Sequence, residues 1–215
     1  QGGFVRARNL IRLARFGLFD ALCWPNLHSL LVVSRDDLVR SERARLRRRT
    51  VVVPNGVDCS AVKAKSTYEA SKPLLLFTGD MSFQPNVDAA LFLANEVFPE
   101  LRREYPGAEL RFVGRNPDLR IQALAQTGVA VAGAVPDMLP HLHEATVFVA
   151  PHFTGAGTRT KLLEAMAAGL PIVTTSVGIE GIDAQPGRDV LIADSAKDMI
   201  ESLLTLLASA DDRRR

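Results

Sequence analysis

The sequence predicts an α/β fold, a Rossmann-like doubly wound parallel sheet, from three observations. Short apolar, β-branched runs recur from residue 73 onward, at 74–78, 109–113, 129–132, 147–150, 172–175 and 190–193. Helix-forming stretches follow most of them, at 86–105, 118–126, 138–144, 160–168 and 196–207. These strands are apolar throughout rather than alternating, so both faces must be covered, which calls for parallel pairing with helices on either side. Crossovers of that kind are right-handed, and they place a ligand at the carboxyl ends of the strands, where strand order reverses.

Residues 146–175 organise the chain. They read TVFVAP, HFTGAGTR and TKLLEAMAAGLPIVTT. The first piece suits a buried strand. The second is a loop carrying Thr154, Gly155, Ala156, Gly157, Thr158 and Arg159. The third opens on Thr160, read as a helix N-cap, and runs in strong helix formers until Gly169, Leu170 and Pro171 stop it. Strand, glycine loop and helix N-terminus together favour an anion, because unpaired N–H groups and the positive end of the helix dipole converge there. Arg159 and Lys161 add full charges, and Glu164 stands one turn in, where it could accept hydrogen bonds from sugar hydroxyls.

Ahead of this half the pattern is different. Residues 4–24 read as a basic amphipathic helix, broken at Gly17 and ended by Pro25. Such a stripe either packs on a neighbouring domain or docks on a membrane surface. Residues 29–33 form a strand. Ser34 then caps a helix running to about Arg47, with Asp37 in the capping-box position. Residues 50–53 form another strand, and Pro54-Asn55-Gly56 a turn. Residues 58–72 are polar and uneven and read as a linker. The domains expected are therefore 1–57, a linker at 58–72, and 73–215.

Composition narrows the classes. An apolar content of 47% with 23% charged residues is ordinary for a globular chain. No apolar run reaches the ~18 residues of a membrane span. Cys23 and Cys59 make neither a disulfide framework nor a metal-site spacing, so a reducing cytoplasm is expected and no metal. The chain begins at Gln1 without a signal-peptide pattern, as a fragment would. The net charge of +2 hides an asymmetry. Residues 1–50 hold 11 Arg and 4 acidic residues, about +7, whereas 51–215 hold 15 basic and 20 acidic residues, about −5. The basic segment is either a solvated helix face or a contact for an anionic membrane. Zinc-finger, RNA-recognition and basic-zipper patterns are missing, so nucleic acid is not an expected partner.

Residues 146–182 resemble the donor-binding signature of family 4 (group 1) glycosyltransferases, which have the GT-B fold. The resemblance rests on AP…GAGTRxKLLEAMAAGLPIVTTxVGIEGI. It extends to VVSRDD, VVPNGVD, FTGDMSFQPNVDAA, AELRFVGRNP and VAGAVPDMLPHLHEATVFVAP, most of residues 30–195. It implies that residues 73–215 are the donor-binding half, that 1–57 are a remnant of the acceptor-binding domain, and that the substrate is a nucleotide diphosphate sugar with no further cofactor. It implies a retaining, hexosyl-type transferase. A glycan or lipid-linked acceptor would be held by the N-terminal domain, most of which is missing here. The chain alone is expected to be inactive, and residues 1–50 are expected either to mediate self-association or to be disordered.

By the same resemblance the donor site would draw on Gly79, Asp80, Arg115, Gly133, Val135, Gly155, Ala156, Gly157, Thr158, Arg159, Lys161, Glu164 and Glu180. No catalytic group is assigned. Pro136 would join Gly133 and Val135 in framing the base, and His152 could touch sugar or phosphate. The sequence departs from the family where an Arg and a Lys usually face the diphosphate: Asp80 and Pro85 stand there. It departs again where the first of two glutamates is usual, at Ala156 or Thr154. Those departures keep a second class open, a non-catalytic nucleotide- or phosphate-binding module or a subunit that completes a split enzyme.

Overall fold

The structure, a computed structural model, describes residues 14–15, 17–19, 22, 28–43, 50–68, 72–155 and 157–214. The chain divides into two compact units, 1–54 and 55–215.

In the first unit, strands β1 (Leu30–Val32) and β2 (Thr50–Val52) pair in parallel, with Leu31 opposite Val51. Helix α1 (Arg35–Arg43) lies between them in sequence. The expected Ser34 cap forms: the Asp37 N–H donates to Ser34 Oγ at 3.0 Å, and the Ser34 hydroxyl donates to the Asp37 carboxylate at 2.8 Å. Leu31 and Val51 are exposed. The amphipathic helix expected at 4–24 falls mostly outside the described residues, as does the end of α1 expected near Arg47. Residues 17–19 are helical.

The second unit holds a six-stranded, wholly parallel sheet. Its strands are β3 (Leu74–Thr78), β4 (Glu109–Val113), β5 (Val129–Ala132), β6 (Val147–Ala150), β7 (Ile172–Thr174) and β8 (Leu191–Ile192). Their order is β5-β4-β3-β6-β7-β8, so the order reverses between β3 and β6. Both strands at that point are buried along their whole length. Alternate side chains serve opposite faces. Leu75, Phe77, Leu110 and Phe112 enter one core layer with Val87, Leu101, Met199 and Leu203; Leu76, Phe148 and Ile172 enter the other with Leu142, Leu162 and Ala165.

Six helical pieces supply those faces. They are α2 (Gln84–Phe92), α3 (Phe98–Glu104), α4 (Leu119–Gln122), α5 (Leu139–Glu144), α6 (Thr160–Ala167) and α7 (Ala196–Ala208). The single helix expected at 86–105 is interrupted by a π-helical turn at Leu93–Val97, across which the Phe98 N–H reaches the Leu93 carbonyl. Pro99 explains the interruption. It has no N–H, and its ring would strike the carbonyl four residues back in a regular helix. The helix expected at 118–126 is the single turn α4. Asp118 caps it, and Gln126 leaves the helix to bridge Val129. Residues of the expected linker pack on this unit: the Lys65 N–H donates to the Ala168 carbonyl at 2.9 Å, and His143 bonds the Lys63 carbonyl at 2.6 Å. Among the described residues no helix is long and apolar enough to cross a membrane.

The turns after β3 and β4 touch. Gly114 has φ +157°, and a Cβ there would fall 1.7 Å from the Gly79 carbonyl oxygen, which is backbone and cannot step aside. Gly114→Ala is therefore expected to cost about 3 kcal/mol of stability, in the class of strained backbone positions. Urea unfolding should show a lower midpoint at unchanged slope.

Candidate functional site

The site lies at the carboxyl ends of β3 and β6, where the sheet order reverses. Gly79 closes β3 with φ +153°, and a Cβ there would sit 2.8 Å from both Asn86 Nδ2 and Lys161 Nζ. Only glycine leaves that space. Asn86, in the first turn of α2, is buried and joins three segments. Its Nδ2 donates to the Asp80 carbonyl at 2.8 Å. Its Oδ1 accepts from Lys161 Nζ at 2.8 Å and lies 3.0 Å from His152 Nε2. His152 Nδ1 lies 3.3 Å from the Ala150 carbonyl, so both ring nitrogens face an oxygen acceptor. Lys161 Nζ also lies 3.4 Å from His152 Nε2 and 4.5 Å from the centre of the Phe77 ring.

His152 is 3% exposed and directly follows β6. The Thr175 hydroxyl donates to its carbonyl and accepts from the Gly178 N–H at 2.9 Å, tying the loop after β6 to the turn after β7. Burial first, then the charges of Lys161 and Arg159, push His152 down to about 3, so it is neutral at physiological pH. Burial first, then Arg159, brings Lys161 down to about 7, against the opposing pull of Glu164.

The glycine loop folds around Arg159. Gly155 and Gly157 take φ of +113° and +86°. Arg159 donates from Nη1 to the Gly157 carbonyl at 2.7 Å and from Nη2 to the Thr154 carbonyl at 3.3 Å. Burial lowers the pKa of its guanidinium, partly offset by the charge of Glu180. Thr158 Oγ1 donates to the Gly181 carbonyl at 3.4 Å. The cap of α6 differs from expectation. Arg159, extended at φ −84° and ψ 94°, is the N-cap and makes no side-chain cap bond, while Thr160 is already helical. A guanidinium has donors only, so an arginine at the N-cap offers no side-chain acceptor to the first N–H groups of α6, and its own N–H groups go to the loop carbonyls.

The other expected residues divide. Asp80 and Arg115 meet each other: Arg115 Nε lies 2.9 Å from the Asp80 carboxylate, which also accepts from Ser82 N and Oγ. Ser82 first, then Arg115, holds the Asp80 carboxyl down to about 2. Gly133 is exposed, and its carbonyl accepts from the Gly114 N–H at 3.2 Å. Val135 packs on the second core layer. Glu164 and Glu180 are half-buried, the first with its charge felt by Lys161 and the second by Arg159. Ala156 lies outside the described residues. His141 turns to Arg111 at 3.4 Å. Sequence reasoning missed Asn86 and Thr175. A polar residue at the head of an otherwise apolar helix, straight after a strand-end turn, was the available signal for Asn86.

A wholly parallel sheet of this order, with helices on both faces and a glycine loop at its reversal point, defines a Rossmann-like domain. Residues 72–209, well over half of the chain, match the model of the family described as glycosyl transferases group 1. The chain belongs to that family. It is 30% identical over 195 residues to a phosphatidyl-myo-inositol mannosyltransferase of Mycolicibacterium smegmatis, a match that covers 85% of this chain and 49% of the relative. Among solved structures, a glycosyltransferase from Rickettsia africae superposes with a TM-score of 0.72 at 14% identity, over 92% of this chain and 58% of that one. Anabaena Alr3699/HepE, solved in complex with UDP and glucose, gives 0.69 at 14% identity, over 87% and 55%. These likenesses bear out the GT-B class of fold. The chain spans between a third and a half of the curated relatives it matches.

The neutral His152 sets a pH dependence of stability. Its folded pKa of about 3 is below its ordinary value, so the unfolded chain binds the proton first as pH falls. Stability should therefore drop as pH falls from about 6.5 toward 3, by up to about 1.4 kcal/mol per pH unit from this residue alone. Urea midpoints across that range should show a shallower slope in His152→Gln.

Proposed function

We propose that residues 55–215 bind the diphosphate of a nucleotide sugar donor for transfer to an acceptor held by another domain. The observation that carries this reading is the pair of cations, Lys161 and Arg159, at the reversal point beside a glycine loop. The pair supplies positive charge where Asp80 and Pro85 replace the Arg and Lys usual in the family. The loop, α6 and Lys161 would hold the diphosphate and stabilise charge developing on the leaving group, an electrostatic contribution. Glu164 and Glu180 would accept hydrogen bonds from sugar hydroxyls. Gly133 and Val135 would border the base. The retaining, hexosyl-type character and the glycan or lipid-linked acceptor rest on the family resemblance, the cytoplasmic setting on the cysteine usage, and the membrane-surface contact on the basic segment 1–50. In this reading residues 1–57 belong to the acceptor side, and the 215-residue chain alone is inactive as a transferase.

The runner-up is a non-catalytic nucleotide- or phosphate-binding module. The Asp80–Arg115 pair favours it, since it puts a neutralised carboxylate where the family has a donor-facing cation. Sugar transfer by the chain joined to an acceptor domain would exclude that runner-up.

Calorimetric titration with UDP, GDP and ADP tests the main reading. Saturable binding of at least one below millimolar concentration is expected, and absence of binding to all three would overturn it. Arg159→Ala should weaken that binding by about 1.5–3 kcal/mol, the range for charge-assisted hydrogen bonds. Its melting temperature should barely move, because the arginine touches loop carbonyls and no core side chain.

The exposed Leu31 and Val51, at 67% and 54%, lie on a two-stranded sheet that is open at its edges among the described residues. Such surfaces find partners. Light scattering should show self-association of the 215-residue chain, and a monomer for a version starting near Lys72. A monomeric 215-residue chain would remove this part of the proposal.

A further inference from the structure

We propose that Lys161 is a proton-coupled clamp: binding of a nucleoside diphosphate at this site takes up one proton, which is held on Lys161 Nζ. The inference rests on the diphosphate reading above and deepens it.

The geometry comes first. Lys161 Nζ is held beside the Gly79 backbone by Asn86 Oδ1 at 2.8 Å, over the face of Phe77, and 3.4 Å from His152. Among the described residues no carboxylate forms a salt bridge with it. Its titratable and charged neighbours are His152 from the loop after β6, Arg159 from the glycine loop and Glu164 from α6. His152 is buried and neutral, Arg159 repels a charge on Nζ, and Glu164 alone favours one. The Asp80 carboxylate is occupied by Ser82 and Arg115. Nζ is therefore fixed at a buried position where its charge is poorly compensated.

An amine in that position loses its proton near neutrality, at about 7, instead of near 10.5. A dianionic phosphate arriving beside it supplies the missing counter-charge and restores the ammonium. The balance is simple: free protein with neutral Lys161, plus the diphosphate, plus one proton from solvent, gives the complex with Lys161 charged. Below pH 7 the lysine is already protonated and uptake fades. Above pH 7 each bound ligand must bring a proton with it, so affinity falls with pH. Asn86 is a positioning residue here, because it carries the amine without contributing charge.

The test is calorimetry of UDP, GDP and ADP binding to the 215-residue chain at pH 6, 7 and 8. Each titration is run in two buffers of different ionisation enthalpy, which counts protons. At pH 8 the wild type should take up close to one proton per ligand bound. Its affinity should be about fivefold weaker at pH 8 than at pH 7, the ratio for a group ionising near 7. The terminal phosphate, with a second ionisation near about pH 6, releases protons on binding a cation and so cannot mimic uptake. Lys161→Arg carries a permanent charge and should bind with no uptake and a flat profile from pH 7 to 8. Lys161→Met should bind more weakly than the wild type at pH 7, again without uptake. Should either variant fail to fold, the wild-type proton count and pH profile decide alone. Binding by the wild type with no uptake at pH 8 and a flat profile would overturn the inference and leave the diphosphate reading standing. No binding of any of the three at any pH would overturn both.

Discussion

The side-chain amide of Asn86 is the contact on which the site depends. One donor and one acceptor suffice to connect the turn after β3, the loop after β6 and the first turn of α6. The arrangement works only because Gly79 has no side chain, which would collide with both the amide and the lysine. Gly79 in turn is pressed against Gly114, so the turns after β3 and β4 share a single close-packed junction. The centre of the sheet and the geometry of the cation site are thus one mechanical unit. In the diphosphate reading such a rigid platform would matter, because charge stabilisation depends on groups that do not reorganise during reaction.

The fold was legible to different depths in different places. Strands β3, β4, β5 and β6 stand at the residues that the apolar runs mark, because a fully buried parallel strand admits almost nothing else. Helix ends were less legible. The break at Leu93–Val97 is dictated by Pro99 acting backwards along the chain, and α4 is cut short because the Gln126–Val129 bridge competes for its backbone. At the head of α6, Thr160 has the residue type of a cap, but the Arg159 side chain turns into the loop and moves the boundary by one residue. Propensity alone does not register such competition.

For the site, the loop from Thr154 to Arg159 and Lys161 were readable because glycine and charge at a strand end carry their own physical meaning. Asn86 was not, since its role is visible only when residues 66 and 75 positions apart come together. Asp80 and Arg115 were both assigned to the cleft, and they answer each other across two adjacent turns. The replacement of the family's usual cations is therefore coherent. A carboxylate brought in after β3 is matched by an arginine after β4, while positive charge is supplied from the other side of the reversal point.

The grip of Arg159 on its own loop has one more consequence. Two of its N–H groups hold the carbonyls of Thr154 and Gly157, at either end of the stretch that carries the two glycines of positive φ. Loops of this composition ordinarily gain their shape only when a ligand arrives, and the ordering entropy is then subtracted from the binding free energy. Here that entropy is spent during folding. In the diphosphate reading, encounter with the anion would then be limited by diffusion and orientation and not by a wait for the loop to close.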